Sequence, residues 1–319
     1  MNVPKIAREG LRSVGKLFSP KGAQEDTLEA LWPDRGGSCI RNRGKSWLEA
    51  QVDLSIIIPC YNNAPYLRGC LDSVLGQKTS YSFEAVVIDD GSTDETPEIL
   101  KAYAANPRVR LLRQENQGHS GARNAGLSVC RGKYLLFHDS DDTLLPGSIQ
   151  ALLDCAFQND ADIAIGGYVC KDAAGNVTPG KTYSAGPVTD RERIPGMTCG
   201  KAFRRRSWAT LQFPLGYWYE DSVISQILLP MARRIYAIDA PVFAYLLNPL
   251  GVSAASQGRP KSLESLYVTR RLLMEREFFG LRYDQDAYTH FLHMVLLTYH
   301  RTRLLPKDVP YAVFLCQRQ

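Results

Sequence analysis

The sequence predicts an α/β fold in which a mostly parallel sheet is flanked by helices, with a helical appendage at the C-terminus. Three observations carry this. From residue 53 onward, short β-branched runs alternate with segments of helical apolar spacing. Polar and acidic residues gather just beyond the ends of those runs, where parallel sheets bind their ligands. The 319 residues suffice for one large α/β domain and a smaller addition.

Residues 1–50 differ in character and read as a basic N-terminal extension. Positions 5–18 fit a short amphipathic helix, with Ile6, Leu11, Val14, Leu17 and Phe18 on one broad face and Lys5, Arg8, Arg12 and Lys16 on the rest. Gly10 and Gly15 weaken it. Such a segment suits an anionic membrane surface. A solvated or docked extension is the plainer reading. Pro20, Gly22, Pro33, Gly36, Gly37 and Gly44 mark residues 19–50 as linker and irregular structure.

The α/β domain is expected over 51–255. Leu54-Ser55-Ile56-Ile57-Ile58-Pro59 reads as a buried parallel strand stopped by proline. A helix follows over 65–77, with Leu67, Leu71, Val74 and Leu75 in helical register. Residues 83–90 are a second strand. A helix over 94–104 takes Thr93 or Asp94 as its N-cap and has Pro97 in its first turn. Then come a strand at 109–112, a helix at 119–130 and a strand at 134–138 that runs into Asp139. A helix at 146–160, a strand at 161–169, a loop or hairpin at 170–195 and a helix at 219–232 complete the domain. Residues 256–319 form a C-terminal helical region.

Composition narrows the function classes. Hydrophobic residues are 45% and charged residues 22%, ordinary for a folded domain. The net charge of +5 is mildly basic, below the density of a nucleic-acid-binding domain, and suits an acidic ligand or an anionic membrane. Eight scattered cysteines form no C-x-x-C or zinc spacing and fit a reducing cytosol. No apolar run reads as a secretory signal or a membrane span. The expected location is therefore cytoplasmic, with a peripheral contact at the inner face of a membrane left open.

Three polar clusters follow three strands. They are Pro59-Cys60-Tyr61-Asn62-Asn63, Asp89-Asp90-Gly91-Ser92-Thr93-Asp94 and Asp139-Ser140-Asp141-Asp142. Asp94 and Asp142 alone read as helix caps. Three carboxylates within 139–142 need more, because packed like charges destabilise unless a cation neutralises them. Carboxylates bind hard cations such as Mg²⁺ or Mn²⁺, which hold phosphate oxygens in turn.

With Asn116-Gln117-Gly118-His119-Ser120-Gly121-Ala122-Arg123-Asn124-Ala125-Gly126, Gly200-Lys201-Ala202-Phe203-Arg204-Arg205 and Tyr219-Glu220-Asp221, these clusters resemble the family 2 glycosyltransferases. The resemblance runs over about 53–255 in order and spacing. It implies the Rossmann-like GT-A fold and inverting transfer from a UDP-sugar to a saccharide or lipid-linked acceptor, assisted by Mn²⁺ or Mg²⁺. The family points to cell-surface polysaccharide synthesis.

Roles carry over residue by residue. The resemblance implies that Pro59 and Tyr61 line the nucleobase pocket, with the Tyr61 ring stacked on the base. Asn62 and Ser140 join the nucleotide site. Asp90 accepts the uracil N–H, and Asp89 is left as a turn support. Arg123 lies near phosphates or base. Gly118 and Gly121 let the backbone pass close to the ligand. Asp141 is the direct metal ligand, and Asp139 contacts the ribose or the metal's water. Asp221 is the base that deprotonates the acceptor hydroxyl, with Glu220 orienting the site. Lys201 belongs to the acceptor side or its scaffold.

Other features are weighed against plainer readings. The run Lys201–Arg206 on charge alone reads as a solvated face. Trp208, Phe213, Tyr217, Trp218 and Tyr219 either shape an acceptor site or pack in the core. His290 and His293 lack a third metal ligand in register and read as surface or core histidines. A nucleotidyltransferase would need a Gly-rich basic loop after the first strand, where Cys60-Tyr61-Asn62-Asn63-Ala64 stands. A dehydrogenase would need G-x-G-x-x-G there. A non-catalytic scaffold of the same fold remains the third alternative.

Overall fold

The computed structural model describes residues 23–44, 47, 49–248, 251, 258–306 and 308–317. The amphipathic segment expected at 5–18 lies outside the described residues.

The sheet holds ten strands among the described residues. They are β1 Val52–Cys60, β2 Phe83–Asp89, β3 Val109–Arg113, β4 Gly132–Phe137, β5 Thr143–Leu144, β6 Ile163–Lys171, β7 Val177–Pro179, β8 Gly186–Pro187, β9 Lys201–Arg204 and β10 Ile235–Leu246. The main order is β3-β2-β1-β4-β9-β6-β10-β5. Strands β1 to β4 pair in parallel, β9 inserts antiparallel between β4 and β6, and β6 pairs in parallel with β10. The short β7 folds back on β6 as a hairpin, and β8 pairs antiparallel with β10. Helices α1 Ala23–Leu31, α2 Ala64–Leu75, α3 Thr96–Tyr103, α4 Gly118–Val129 and α5 Ser148–Gln158 precede the C-terminal α6 Glu264–Glu275, α7 Gln285–Thr302 and α8 Asp308–Gln317. No helix among the described residues is long and apolar enough to cross a membrane.

Alternation along β1 sorts the two cores. Ile56 and Ile58 join Leu67, Leu71 and Leu152 of α2 and α5, while Ile57 joins Leu127 of α4 on the other face. Both faces are covered, which is why the parallel strands are mostly apolar. Gly126 of α4 makes this approach close: a Cβ there would lie 2.5 Å from Ile57 Cγ2 and 3.0 Å from Ile88 Cδ1. Leu263, Val268 and Leu272, in and just ahead of α6, and Val309 and Val313 of α8 belong to the same apolar cluster as Ile57 and Phe137.

Four expectations are corrected. Proline does not stop β1: Pro59 pairs with Ile88 and the strand ends at Cys60. Pairing of β1 with β4 ends at Ile57↔Phe137, so Pro59 lies beyond the last β4 pair, where a missing donor costs little. Residues 19–50 are not all linker. Helix α1 forms, Leu28 and Cys39 are buried, and Arg43 donates to the Trp208 carbonyl at 2.6 Å. The basic run at 201–206 is not a solvated face, because Lys201–Arg204 is a buried central strand. Arg204 is compensated by Asp160 and Asp162, and Arg205 donates to the Cys130 carbonyl. Strand β10 crosses a region for which no strand was expected. It carries register irregularities between Ala237 and Pro241 and between Pro241 and Phe243.

Candidate active site

The loops after β1, β2 and β4 converge, and hydrogen bonds between them set their shape. Tyr61 stands out from the β1 loop, 49% exposed. Asn62 adopts φ 47°, a conformation open to asparagine, and its Oδ1 accepts from the Thr93 amide at 2.8 Å. Asp94 ties two helix starts together, accepting from the Ala64 amide at 3.1 Å and the Thr96 amide at 2.9 Å. Its cap role thus extends across loops, while position 95 precedes α3. Asp89 accepts from the Ser92 amide at 2.8 Å and faces Arg113 at 3.4 Å, so it braces the turn. Asp90 is buried, and its Oδ1 accepts from Gln114 Nε2 at 2.7 Å and the Gln117 amide at 2.9 Å. This holds the loop in which Gly118, at φ 71°, opens α4.

The acidic cluster follows β4. Asn63 Nδ2 donates to Ser140 Oγ at 2.8 Å, joining the β1 and β4 loops. Asp139 Oδ1 accepts from Arg123 Nη2 at 2.8 Å, and its side chain is 36% exposed. Burial alone would raise the Asp139 pKa, but the Arg123 charge outweighs it and holds Asp139 below the usual carboxylate range. Asp141 is half-buried, with Oδ2 3.4 Å from Asn248 Nδ2. Burial and then the Asp139 charge raise its pKa. Asp142 is buried, and the same two causes push it up to about 9. Asp142 does not cap a helix: its Oδ1 accepts from the Leu246 amide of β10 at 2.8 Å, and α5 opens on Gly147.

These acids offer hard oxygen donors, and their mutual repulsion is what a divalent cation relieves. Among the described residues, however, the set whose ligand atoms all lie within 4.8 Å of one another is Asp139, Asp142 and Cys199. Asp141 is outside that set. The Cys199 thiol is buried, and burial pushes its pKa well up, so it is a poor partner for Mg²⁺. Asp139 and Asp141, both partly open, fit a hard cation better by their chemistry.

Arg123 links this cluster to the expected base. Its second nitrogen, Nη1, donates to Glu220 Oε1, and both side chains are 5% exposed. The guanidinium lies 5.5 Å from the Phe213 ring. Burial opposes its charge, yet Asp139 and Glu220 hold its pKa above the ordinary value. Asp221 follows at the start of a helical run that contains the π-helical turn Ile224–Leu228. Such turns mark functional sites often. Burial and then the neighbouring Glu220 raise Asp221 to about 6, against the pull of Arg301 and Arg123. Asp221 lines a cavity of about 760 Å³ that His290, His293 and Arg301 of α7 also line. Of the aromatics ahead of it, Trp208 and Phe213 are core, packed on Phe137, and the Tyr217 hydroxyl donates to Asp34.

Sequence reasoning named Lys201 only as part of the acceptor side or its scaffold, and it missed Arg301. Lys201 is buried on β9, where its Nζ donates to the Met197 carbonyl at 2.7 Å. Burial lowers it to about 8, opposed by Cys199 and Asp221. Arg301 comes from α7, far along the chain from the motifs, and no local pattern marks it.

This arrangement, a parallel α/β half with carboxylates at its strand ends and a second acidic pair of which Asp221 lines a cavity, defines a class of enzyme. Residues 55–210 match the family described as Glycosyl transferase family 2. The chain is 32% identical over 247 residues to the uncharacterized glycosyltransferase YibD of Escherichia coli (strain K12), covering 70% of each chain. The protein belongs to the family 2 glycosyltransferases. It is also 37% identical over 162 residues to an Escherichia coli chondroitin synthase, covering 49% of this chain and 23% of that one. The chain thus spans about a quarter of that synthase and 30% of the Streptococcus pneumoniae glycosyltransferase GlyA. Its fold matches residues 1–349 of S. aureus TarS, solved with UDP-GlcNAc, at a TM-score of 0.60 and 18% identity over 83% of this chain and 89% of that one. The fold is GT-A.

Proposed function

We propose that the protein transfers a sugar from a UDP-sugar to a saccharide or lipid-linked acceptor with inversion, in cell-surface polysaccharide synthesis at the cytoplasmic face of a membrane. One observation carries the reading. A continuous set of charge contacts runs from Asp139 through Arg123 to Glu220, and the next residue, Asp221, opens on a cavity of about 760 Å³. TarS, which shares the fold, binds UDP-GlcNAc, and this supports a uridine nucleotide here. The exposed Tyr61, with Pro59, Asn62 and Ser140 on the β1 and β4 segments that the Asn63–Ser140 hydrogen bond joins, would seat the nucleotide.

Asp221 takes the proton of the acceptor hydroxyl. The acceptor oxygen then forms its bond to the anomeric carbon from the face opposite the diphosphate. The bond between that carbon and the diphosphate oxygen breaks, and its electron pair leaves with UDP. A carboxylate raised to about 6 is still ionised at neutral pH and is a better base than an unshifted one. Arg123 and Glu220 fix the backbone around Asp221 and the direction of Asp139. Asp139 and Asp141 would hold Mn²⁺ or Mg²⁺, which supplies charge neutralisation for the diphosphate.

The test is Asp221→Asn, assayed by UDP release from a set of UDP-sugars with oligosaccharide acceptors, alongside calorimetry with UDP and Mn²⁺. Turnover should disappear while UDP binding persists. Unchanged turnover would overturn the base assignment, and absent UDP binding in the intact protein would favour a non-catalytic scaffold.

A further inference from the structure

We propose that Arg301 of α7 is a positioning residue for Asp221, so that the C-terminal helices complete the active site. The inference rests on Asp221 being the base. Two contacts place the guanidinium, and a third holds one of its partners. Its central carbon lies 3.7 Å from the centroid of the Tyr219 ring, two residues before Asp221. Its Nη1 donates to Ser265 Oγ of α6 at 2.8 Å. Ser265 is fully buried, and its Oγ is 3.0 Å from Thr298 Oγ1 of α7. A long, entropy-rich side chain is thereby held in one direction by an aromatic face and a locked hydroxyl.

Arg301 and Asp221 line the same cavity. The groups acting on Asp221 come from several elements. Burial, Glu220 and Asp139 raise its pKa, whereas Arg301 and Arg123 lower it. Lys201 of β9 also feels Asp221, and His290, His293 and Arg276 line the cavity further along. Arg123 is already paired with Asp139 and Glu220. Arg301 is not joined to a carboxylate by any ion pair among the described residues, and Asp221 is the acid acting on it. Its charge therefore serves the base. It favours the ionised form that accepts the acceptor's proton, from within the cavity that both residues line.

The test reads Asp221 directly, by carbon-13 carboxyl NMR of aspartate-labelled full-length protein, with the Asp221 signal identified by its loss in Asp221→Asn. In Arg301→Gln the midpoint should rise by roughly one pH unit, as removal of a nearby opposite charge does. Arg301→Lys should return most of that shift, and UDP affinity by calorimetry should stay unchanged in both. An unmoved midpoint in Arg301→Gln overturns the proposal. If that variant does not fold, Ser265→Ala decides. It frees the guanidinium, so a smaller upward shift supports the role and no shift overturns it. The reading of Asp221 as base fails separately, through retained UDP release in Asp221→Asn.

Discussion

Arg123 of α4 and Glu220, just ahead of the π-helical turn, form an ion pair in which both side chains are 5% exposed. The same guanidinium holds Asp139 at 2.8 Å. One buried cation therefore couples the acids after β4 to the segment that bears Asp221. Removing one partner of a buried pair strands the other, at a cost of about 3–5 kcal/mol. Arg123→Met should lower the thermal midpoint strongly and abolish UDP release. Glu220→Gln keeps a hydrogen-bond acceptor and should cost less. Thermal unfolding of the two variants separates these outcomes, and equal stability in both would contradict the pairing.

The raised Asp221 pKa predicts a pH limb. Protonated Asp221 cannot accept the acceptor's proton, so kcat/KM should fall as pH drops through about 6. The stability effect has the opposite sense. A carboxyl whose folded pKa lies above its unfolded value favours folding while protonated, so its contribution is present below about 4 and is lost as pH rises toward 6. Asp221→Asn should therefore be more stable than the intact protein at pH 8 and nearly equal to it at pH 4. Denaturant titrations at the two pH values measure this, and a larger gain at pH 4 would contradict it.

Much of this architecture is legible in the sequence. Strands β1 and β2 are rich in β-branched residues, β4 carries the apolar run Tyr134–Phe137, and α2 to α5 carry helical apolar spacing, so local pattern and tertiary role agree. Strand β9 is hidden because Lys201 and Arg204 look like a surface charge run. Their burial depends on the Met197 carbonyl and on Asp160 and Asp162, contacts that local periodicity does not encode. Strand β10 is hidden by Asp239 and Pro241 and by the irregular register they accompany. At the site, the motif residues mark Asp139, Glu220 and Asp221, but not what joins them. The Arg123 bridge is a tertiary fact, and Arg301 reaches the cavity from a helix without a motif.

Asp141 and Asp139 carry the metal prediction. Mn²⁺ should raise the thermal midpoint of the intact protein by binding the folded state. Asp141→Asn should lose most of that increment while keeping the metal-free midpoint or raising it, because the variant removes a charge next to Asp139. If Asp142 were the ligand instead, Asp142→Asn would lose the increment and Asp141→Asn would keep it. Scanning fluorimetry with and without Mn²⁺ distinguishes the two, and no shift in the intact protein would remove the metal from the reading.

Gly126 tests how closely α4 must approach the sheet to carry Arg123. A Cβ at this position would meet Ile57 Cγ2 at 2.5 Å and Ile88 Cδ1 at 3.0 Å, both on fully buried isoleucines of central strands. Neither side chain can swing into solvent, so Gly126→Ala forces the helix outward. Overpacking of this kind costs about 1–3 kcal/mol. Helix propensity works the other way, by up to about 1 kcal/mol in favour of alanine, so the net loss falls below the clash cost. Arg123 lies one turn earlier on the same helix, and its two ion pairs depend on the same seating. Gly126→Ala should therefore lower both stability and UDP release, whereas Ile88→Val in the same background deletes the Cδ1 that the new methyl would meet at 3.0 Å and should restore part of each. Failure of the second substitution to restore either would place the defect elsewhere than in the packing of α4 on the sheet.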